Sequence, residues 1–187
     1  MSETTTTQLP AGLTPGTYVV DPAHSEVGFT ARHAMVTKVR GTFNDVQGTI
    51  VIGDDPASSS ATATIQVASV DTRSADRDAH LRSADFFDVE NYPEMTFRTT
   101  GVRPDGEDYL VDGELTIRGV TKPVTLKVEF TGVATDPFGN QRAGFSGETE
   151  VDREQWGLTW NAALETGGVL VSRKVRLAFD VSAIKQS

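Results

Sequence analysis

The sequence predicts an all-β fold: an antiparallel sheet of about eight strands that closes on itself, with one short helical plug. Three observations predict it. Apolar and polar residues alternate through most of the 187 positions. The alternating runs are separated by short clusters of Gly, Pro, Asp and Asn, such as Gly53-Asp54-Asp55-Pro56 and Pro104-Asp105-Gly106. The alternation is broken at one sizeable place, Val70 to Phe97, where a helical pattern replaces it. Strands with one apolar face, joined by short turns, build a sheet that packs on itself, and a sandwich and a closed barrel both satisfy this. Long strands with a single helical interruption favour the barrel, because closure removes exposed edges and a helix can cover one mouth.

In chain order, strand signals begin at Thr17. Val27, Phe29 and Ala31 share one face of the next strand. Val39 to Phe43 begins another, and Gly48 to Ile52 a third. Ala61, Ala63, Ile65 and Val67 share the inward face of the strand that leads into the interruption. Beyond it lie Tyr109 to Ile117, then a break at Gly119-Val120-Thr121-Lys122-Pro123. Val124, Leu126, Val128 and Phe130 alternate up to a turn at Asp136-Pro137-Phe138-Gly139-Asn140, and Ala143 to Val151 carries Phe145 inward. Trp156 and Trp160 occupy a less regular stretch, where large aromatics are expected as packing anchors. Val169, Val171, Arg173, Val175, Leu177, Phe179 and Val181 mark one long closing strand.

Within the interruption, Ser74 is placed to cap a helix, with Asp76 near the positive end of its dipole. Asp78 and Arg82 stand four apart, a spacing that pairs them on one helical face. Tyr92-Pro93 forces the chain back into an extended or turn conformation. Ala79, Leu81, Phe86 and Phe87 are expected to be buried against the sheet, which makes the segment a plug at one end. Arg77 and Asp78 are expected to tie it to strand ends, in preference to clamping a charged headgroup.

Composition narrows the function. The net charge of -9, from 17 basic and 26 acidic residues, argues against sequence-independent nucleic-acid binding and against docking on anionic membranes by a polybasic patch. With no cysteine there is no disulfide, thiol nucleophile or Cys-based metal site. No apolar run is long enough to span a bilayer, so no integral membrane segment is expected. Met1 to Gln8 has no positive region followed by an apolar stretch, so residues 1–15 are expected to be a disordered polar tail and the protein cytoplasmic, a mature secreted form being the alternative. Residues 16–187 are expected to form one domain.

No phosphate loop, dinucleotide fingerprint or nucleophile elbow is present, so no cofactor and no enzymatic activity are expected. His24, His33 and His80 raise the rival of a metal-dependent enzyme, since three imidazoles and an open position suit catalytic zinc. They are not at helical ligand spacing, and hydrogen-bonded histidines are the commoner outcome. Inward faces that mix large residues with small ones (Ala31, Gly41, Ala61, Ala63, Gly113) leave room for a cavity, or else fit the taper of a solid core.

Several motifs carry a resemblance in this order and spacing. They are Asp21-Pro22-Ala23-His24-Ser25 with Val27, Phe29 and His33; Gly41-x-Phe43; and Arg77-Asp78-x-His80-Leu81. Asp85-Phe86-Phe87-Asp88 and Tyr92-Pro93 follow, and then Gly113-x-Leu115-Thr116-Ile117-x-Gly119-Val120-Thr121-Lys122-Pro123-Val124. From Gly16 to Ile184 the chain resembles the YceI-like polyisoprenoid-binding family, with Tyr18 where that family's pattern has Trp. The resemblance implies an extended lipocalin-like barrel and an apolar tunnel. The tunnel would hold a polyisoprenoid, an isoprenoid quinone or a similar long-chain or fatty lipid without covalent chemistry, for storage, transport or sensing. It also implies a homodimer, and in many members a periplasmic location with a signal peptide that this sequence does not show.

The tunnel wall expected from the inward faces is Phe29, Ala31, Phe43, Ile65, Val67, Phe97, Leu115, Ile117, Val128, Phe130, Phe145, Val175 and Leu177. Arg173 shares the face of Val171 and Val175. It either meets a ligand's polar head or, if a bulge resets the strand, is exposed. A solidly packed barrel without a ligand, serving a structural or interaction role, is the remaining rival.

Overall fold

The structure is a computed structural model that describes residues 8–164, 168 and 170–187. Residues 1–7 of the expected tail, and Val169 of the expected last strand, lie outside the described residues. Among the described residues eleven strands form one sheet. In chain order they are β1 (Gly16–Val20), β2 (Glu26–His33), β3 (Thr37–Phe43), β4 (Val46–Ile52), β5 (Ser60–Gln66) and β6 (Val70–Asp71). The helix α1 (Ala75–Arg82) precedes β7 (Glu94–Asp105), β8 (Asp108–Ile117), β9 (Val120–Thr135), β10 (Gln141–Asp152) and β11 (Lys174–Lys185).

Three barrel strands are each broken in two. β1 and β2 run in one direction along β11, separated by the 3₁₀ turn Pro22–His24. β4 and β3 lie in turn on β1 and β2, and β5 and β6 lie on β4 and β3. From β5 the sheet continues through β7, β8, β9 and β10 to β11, so eight antiparallel strand lines close into a barrel, the outcome that long strands with a single helical interruption favoured over a sandwich.

Antiparallel order alternates the connections between two ends. The β2–β3 and β8–β9 turns, the segment 67–93 containing α1, and the segment 153–173 gather at one end, the plug end. The β4–β5, β7–β8 and β9–β10 connections and the start of β1 gather at the other.

The Gly119 region is a tighter break than expected. Only Arg118 and Gly119 form the turn, both at positive φ (51° and 72°), and Thr121 to Pro123 already belong to β9. Pro123 pairs with Glu114 of β8, whereas pairing to β10 starts only at Lys127. A strand position without a second neighbour accepts a residue that has no N–H to donate.

Ser74 caps α1 as predicted, its hydroxyl accepting from Arg77 N at 3.3 Å. The Asp78–Arg82 pair does not form. Asp78 is buried and its Oδ1 accepts from Thr72 N and Oγ1 at 2.9 and 2.6 Å, while Arg82 Nε donates to Ala68 O at 3.0 Å. Both side chains anchor the helix to the chain just before it, which outweighs a surface pair worth a few tenths of a kcal/mol. Ala79 is exposed rather than buried, because α1 turns Asp78 inward; Phe86 is buried, and Leu81 and Phe87 pack on the core from its edge.

Two apolar clusters fill the ends of the barrel. The plug-end cluster includes Phe43, Val67, Val70, Phe86, Ile117 and Trp156. The opposite cluster is built on Leu13, Tyr18, Ile52, Ala143 and Ala183. Leu13 is therefore buried although it falls within the stretch expected to be tail, and Leu9 packs beside it.

Candidate functional site

Inside the barrel lies a cavity of about 240 Å³, lined by members of both clusters. Its wall comes from β1, β2, β3, β4, β5, β7, β8, β9, β10 and β11, with Leu9, Pro10 and Leu13 ahead of β1 and Pro56 and Ser59 between β4 and β5, and among the described residues it contains no charged one. Of the thirteen residues expected to form a tunnel wall, Phe43, Ile65, Phe97, Leu115, Val128, Phe145 and Leu177 line it. The other six do not. Phe29, Val67, Ile117 and Val175 belong to or pack against the plug-end cluster, Phe130 packs against the opposite cluster beside Phe145, and Ala31 is half-buried beyond the cavity.

Position along the barrel axis accounts for Val67, Ile117 and Val175, which sit at the plug end, whereas Phe29 and Phe130 lie opposite the wall residues Leu177 and Phe145 in register, and Phe29 turns its ring over Gly41. Face assignment separates inside from outside, but not the middle of the barrel from its filled ends. Val20, Val46, Ile50, Ala61, Ala63, Met95, Val111 and Leu126 line the cavity as well and were missed. Ala61 and Ala63 had been noted only as small inward residues, which is the signal that could have found them.

Not every small inward residue leaves space. The ring of Phe29 lies over Gly41, its cross-strand partner, and the ring of Phe97 lies over Gly113, so a Cβ at either glycine would collide with the ring. These glycines are covered by aromatics from the neighbouring strand. Free volume comes instead from the alanines of β5.

The cavity wall has few polar side chains. Ser59 is committed to Gly53 N and Asp55 O at 3.0 and 2.9 Å, and the Thr99 hydroxyl accepts from Ala61 N at 3.1 Å. Tyr109, in the second position of β8 and at the end away from the plug, also lines the cavity; burial pushes its phenol above the ordinary value and keeps it a neutral O–H donor.

The plug end is locked by hydrogen bonds. Arg77 Nε and Nη2 donate to Thr72 Oγ1 and Thr72 O at 2.8 and 2.6 Å, so this pair is a structural clamp and not a headgroup site. Arg118 Nη1 donates to Phe86 O at 3.0 Å, and Trp156 Nε1 to Leu115 O at 2.9 Å. Arg153 is 6% exposed, and its guanidinium donates to the carbonyls of Ser172, Leu158, Trp160 and Val171. Burial lowers its pKa from the ordinary value. One planar fork thereby organises the returning segment, a role nothing in the periodicity announced.

Arg173 does not meet the cavity. It is 61% exposed and pairs with Asp152 and Glu154 at 2.7 and 3.0 Å, and β11 starts one residue later. Its hydrogen bond to Asp152 is the main reason that carboxyl titrates below the ordinary range.

The three histidines are not brought together. His24 Nδ1 lies 2.8 Å from Asp21 in the turn between β1 and β2, and His33 ends β2. His80 pairs with Asp85 at 2.9 Å and stacks edge-on between Phe86 and Trp160. Among the described residues no three His, Asp or Glu side chains form a metal cluster, and no helix is long and apolar enough to cross a membrane.

Three comparisons bear on this geometry. A protein of Staphylococcus epidermidis described as a UPF0312 protein is 45% identical over 168 residues, covering 87% of this chain and 93% of the relative. The crystal structure of BcnA from Burkholderia cenocepacia matches with a TM-score of 0.76 at 27% identity, over 87% of this chain and 98% of that one. A domain from Saccharophagus degradans described as polyisoprenoid-binding shares the fold, with a TM-score of 0.68 at 18% identity, over 92% of this chain and all of that one. The family model described as the YceI-like domain matches residues 18–183, and the chain belongs to that family.

Proposed function

We propose that this protein binds one long apolar lipid non-covalently inside its barrel, a polyisoprenoid or isoprenoid-quinone tail being the class that suits it. The observation that carries the reading is the uncharged, apolar cavity of about 240 Å³ inside the barrel. An apolar cavity of roughly 150 Å³ stays dry and takes up benzene. A larger one gains from every methylene it removes from water, about 0.8 kcal/mol each. Chain-like ligands collect that gain without needing ion pairs, which this wall does not offer. The fold neighbour described as polyisoprenoid-binding supports the same class.

Tyr109 sets the polarity of binding. With the plug end filled by Phe86, Trp156 and Ile117, the tail points toward the plug and a hydroxyl or carbonyl head lies near the Tyr109 phenol. Storage, transport and sensing all use such a complex.

Organic extraction of the purified protein followed by mass spectrometry tests the proposal. A single apolar lipid near one per chain is the expected result. Protein that carries no lipid, and that takes up neither a polyprenol nor a long-chain quinone when offered them, would overturn it.

A further inference from the structure

The β2–β3 hairpin is unlike the rest of the surface. From Val27 to Asn44 the chain has no Asp or Glu, yet it carries Arg32, Lys38 and Arg40 in a protein of net charge -9. All three are exposed, and among the described residues none forms an ion pair. Arg32 and Lys38 are direct cross-strand partners, an arrangement in which like charges repel and weaken the sheet. Neighbouring cations are answered by acids, Arg176 of β11 by Glu148 and Arg173, just before β11, by Asp152. The acid nearest in register, Asp71 opposite Thr42, accepts from Arg73 N.

The tip of the same hairpin is apolar. Val36 is 78% exposed, and Met35, though its sulfur lies over Gly168, is 60% exposed. Ala34 and Met35 both have positive φ, 51° and 63°, in a two-residue turn closed by Val36 N donating to His33 O at 3.1 Å. That turn favours Asn and Gly, so the chain accepts backbone strain where it presents Met35 and Val36 to solvent.

We propose that this hairpin docks the protein on the anionic surface of a phospholipid bilayer, Met35 and Val36 entering the interface and Arg32, Lys38 and Arg40 lying at headgroup level. An apolar tip with cations immediately behind it is the layout that interfacial binding uses. The acidic remainder of the molecule does not cancel it, since charges more than about 10 Å away are largely screened at ordinary ionic strength. The apolar tip is what favours a bilayer over a soluble acidic protein. This inference goes beyond lipid binding in the barrel and stands independently of it.

The test is co-sedimentation of the full chain with vesicles of phosphatidylcholine, alone and mixed with phosphatidylglycerol. The parent should partition to the mixed vesicles only and be released by salt. Each cation contributes a factor of about five to partitioning, so Lys38→Ser with Arg40→Ser should weaken it about 25-fold. Val36→Ser should weaken it at least about fivefold. Thermal melting of the variants, unchanged for exposed positions, shows that they fold, and extraction of bound lipid reads the barrel separately. Equal sedimentation with both vesicles, or none with either, overturns the proposal. Binding to mixed vesicles that needs the cations but is indifferent to Val36 also overturns it, in favour of a soluble acidic partner.

Discussion

Arg142 and Asp21 stand 121 positions apart in the chain, yet Arg142 Nη1 donates to Asp21 Oδ2 at 2.9 Å. The same guanidinium donates through Nε to Asp136 Oδ2 at 2.8 Å. One arginine on β10 therefore joins the break between β1 and β2 to the β9–β10 turn, and His24 adds a second donor to Asp21.

This bridge makes the fold acid-sensitive. Burial works to raise the Asp136 carboxyl, but hydrogen bonds from Asn140, Arg142 and Phe138 outweigh it and bring the pKa from 3.8 to about 2. Asp21 is lowered too, chiefly by Arg142 and then by His24. A carboxyl lowered on folding contributes stability that is complete above its unfolded pKa and disappears as pH falls through the folded one. The melting temperature should therefore fall between about pH 4 and pH 2. In Arg142→Met it should be lower at neutral pH, with a shallower decline across that window, as melting curves in a pH series would show. An unchanged slope would remove the bridge from the account.

Filling the cavity should separate binding from folding. Ala63 lines the cavity beside Ile65, and Ala63→Trp should displace a lipid while the barrel still folds. In a solid core the same change would overpack and cost about 1–3 kcal/mol. Ala31→Trp is the control, because Ala31 lies outside the cavity and its variant should keep the lipid. The readout is bound lipid beside melting temperature. A severely destabilised Ala63→Trp, or lipid lost equally from both variants, would refute this assignment of the wall.

The plug should be held mainly through Phe86. Its side chain is 5% exposed, so Phe86→Ala should cost about 3–5 kcal/mol in denaturant unfolding. Phe87 is half-buried and meets Phe43 edge-on at 6.0 Å, so Phe87→Ala should cost less. Equal or negligible losses would show that the helical segment is not docked through Phe86.

Arg153 should be essential to the returning segment. Arg153→Met leaves buried carbonyls without their donor, each costing about 1–3 kcal/mol. Limited proteolysis should then cut within 157–172 before the barrel opens. Arg153→Lys should rescue poorly, since an ammonium lacks the planar fork. Parent-like resistance in either variant would show that the segment is held by other contacts.

What the sequence by itself determined is local in origin. A period of two placed Phe97, Leu115, Val128 and Leu177 inside, because successive side chains of a strand point to opposite faces. Ser74 and Tyr92-Pro93 bounded the helical interruption, because a cap and a proline act on their own neighbours. Closure followed from the scarcity of other elements to cover an edge. What only the tertiary structure decided is where each inward residue sits along the barrel axis and what reaches it across the chain. Phe29 and Phe97 read identically in sequence and both pack against the plug-end cluster, yet only Phe97 also lines the cavity. Arg142 finds Asp21, and Arg153 gathers four carbonyls, through strand register and the path of a returning segment. Register is set by the whole sheet at once, so no window of sequence contains it.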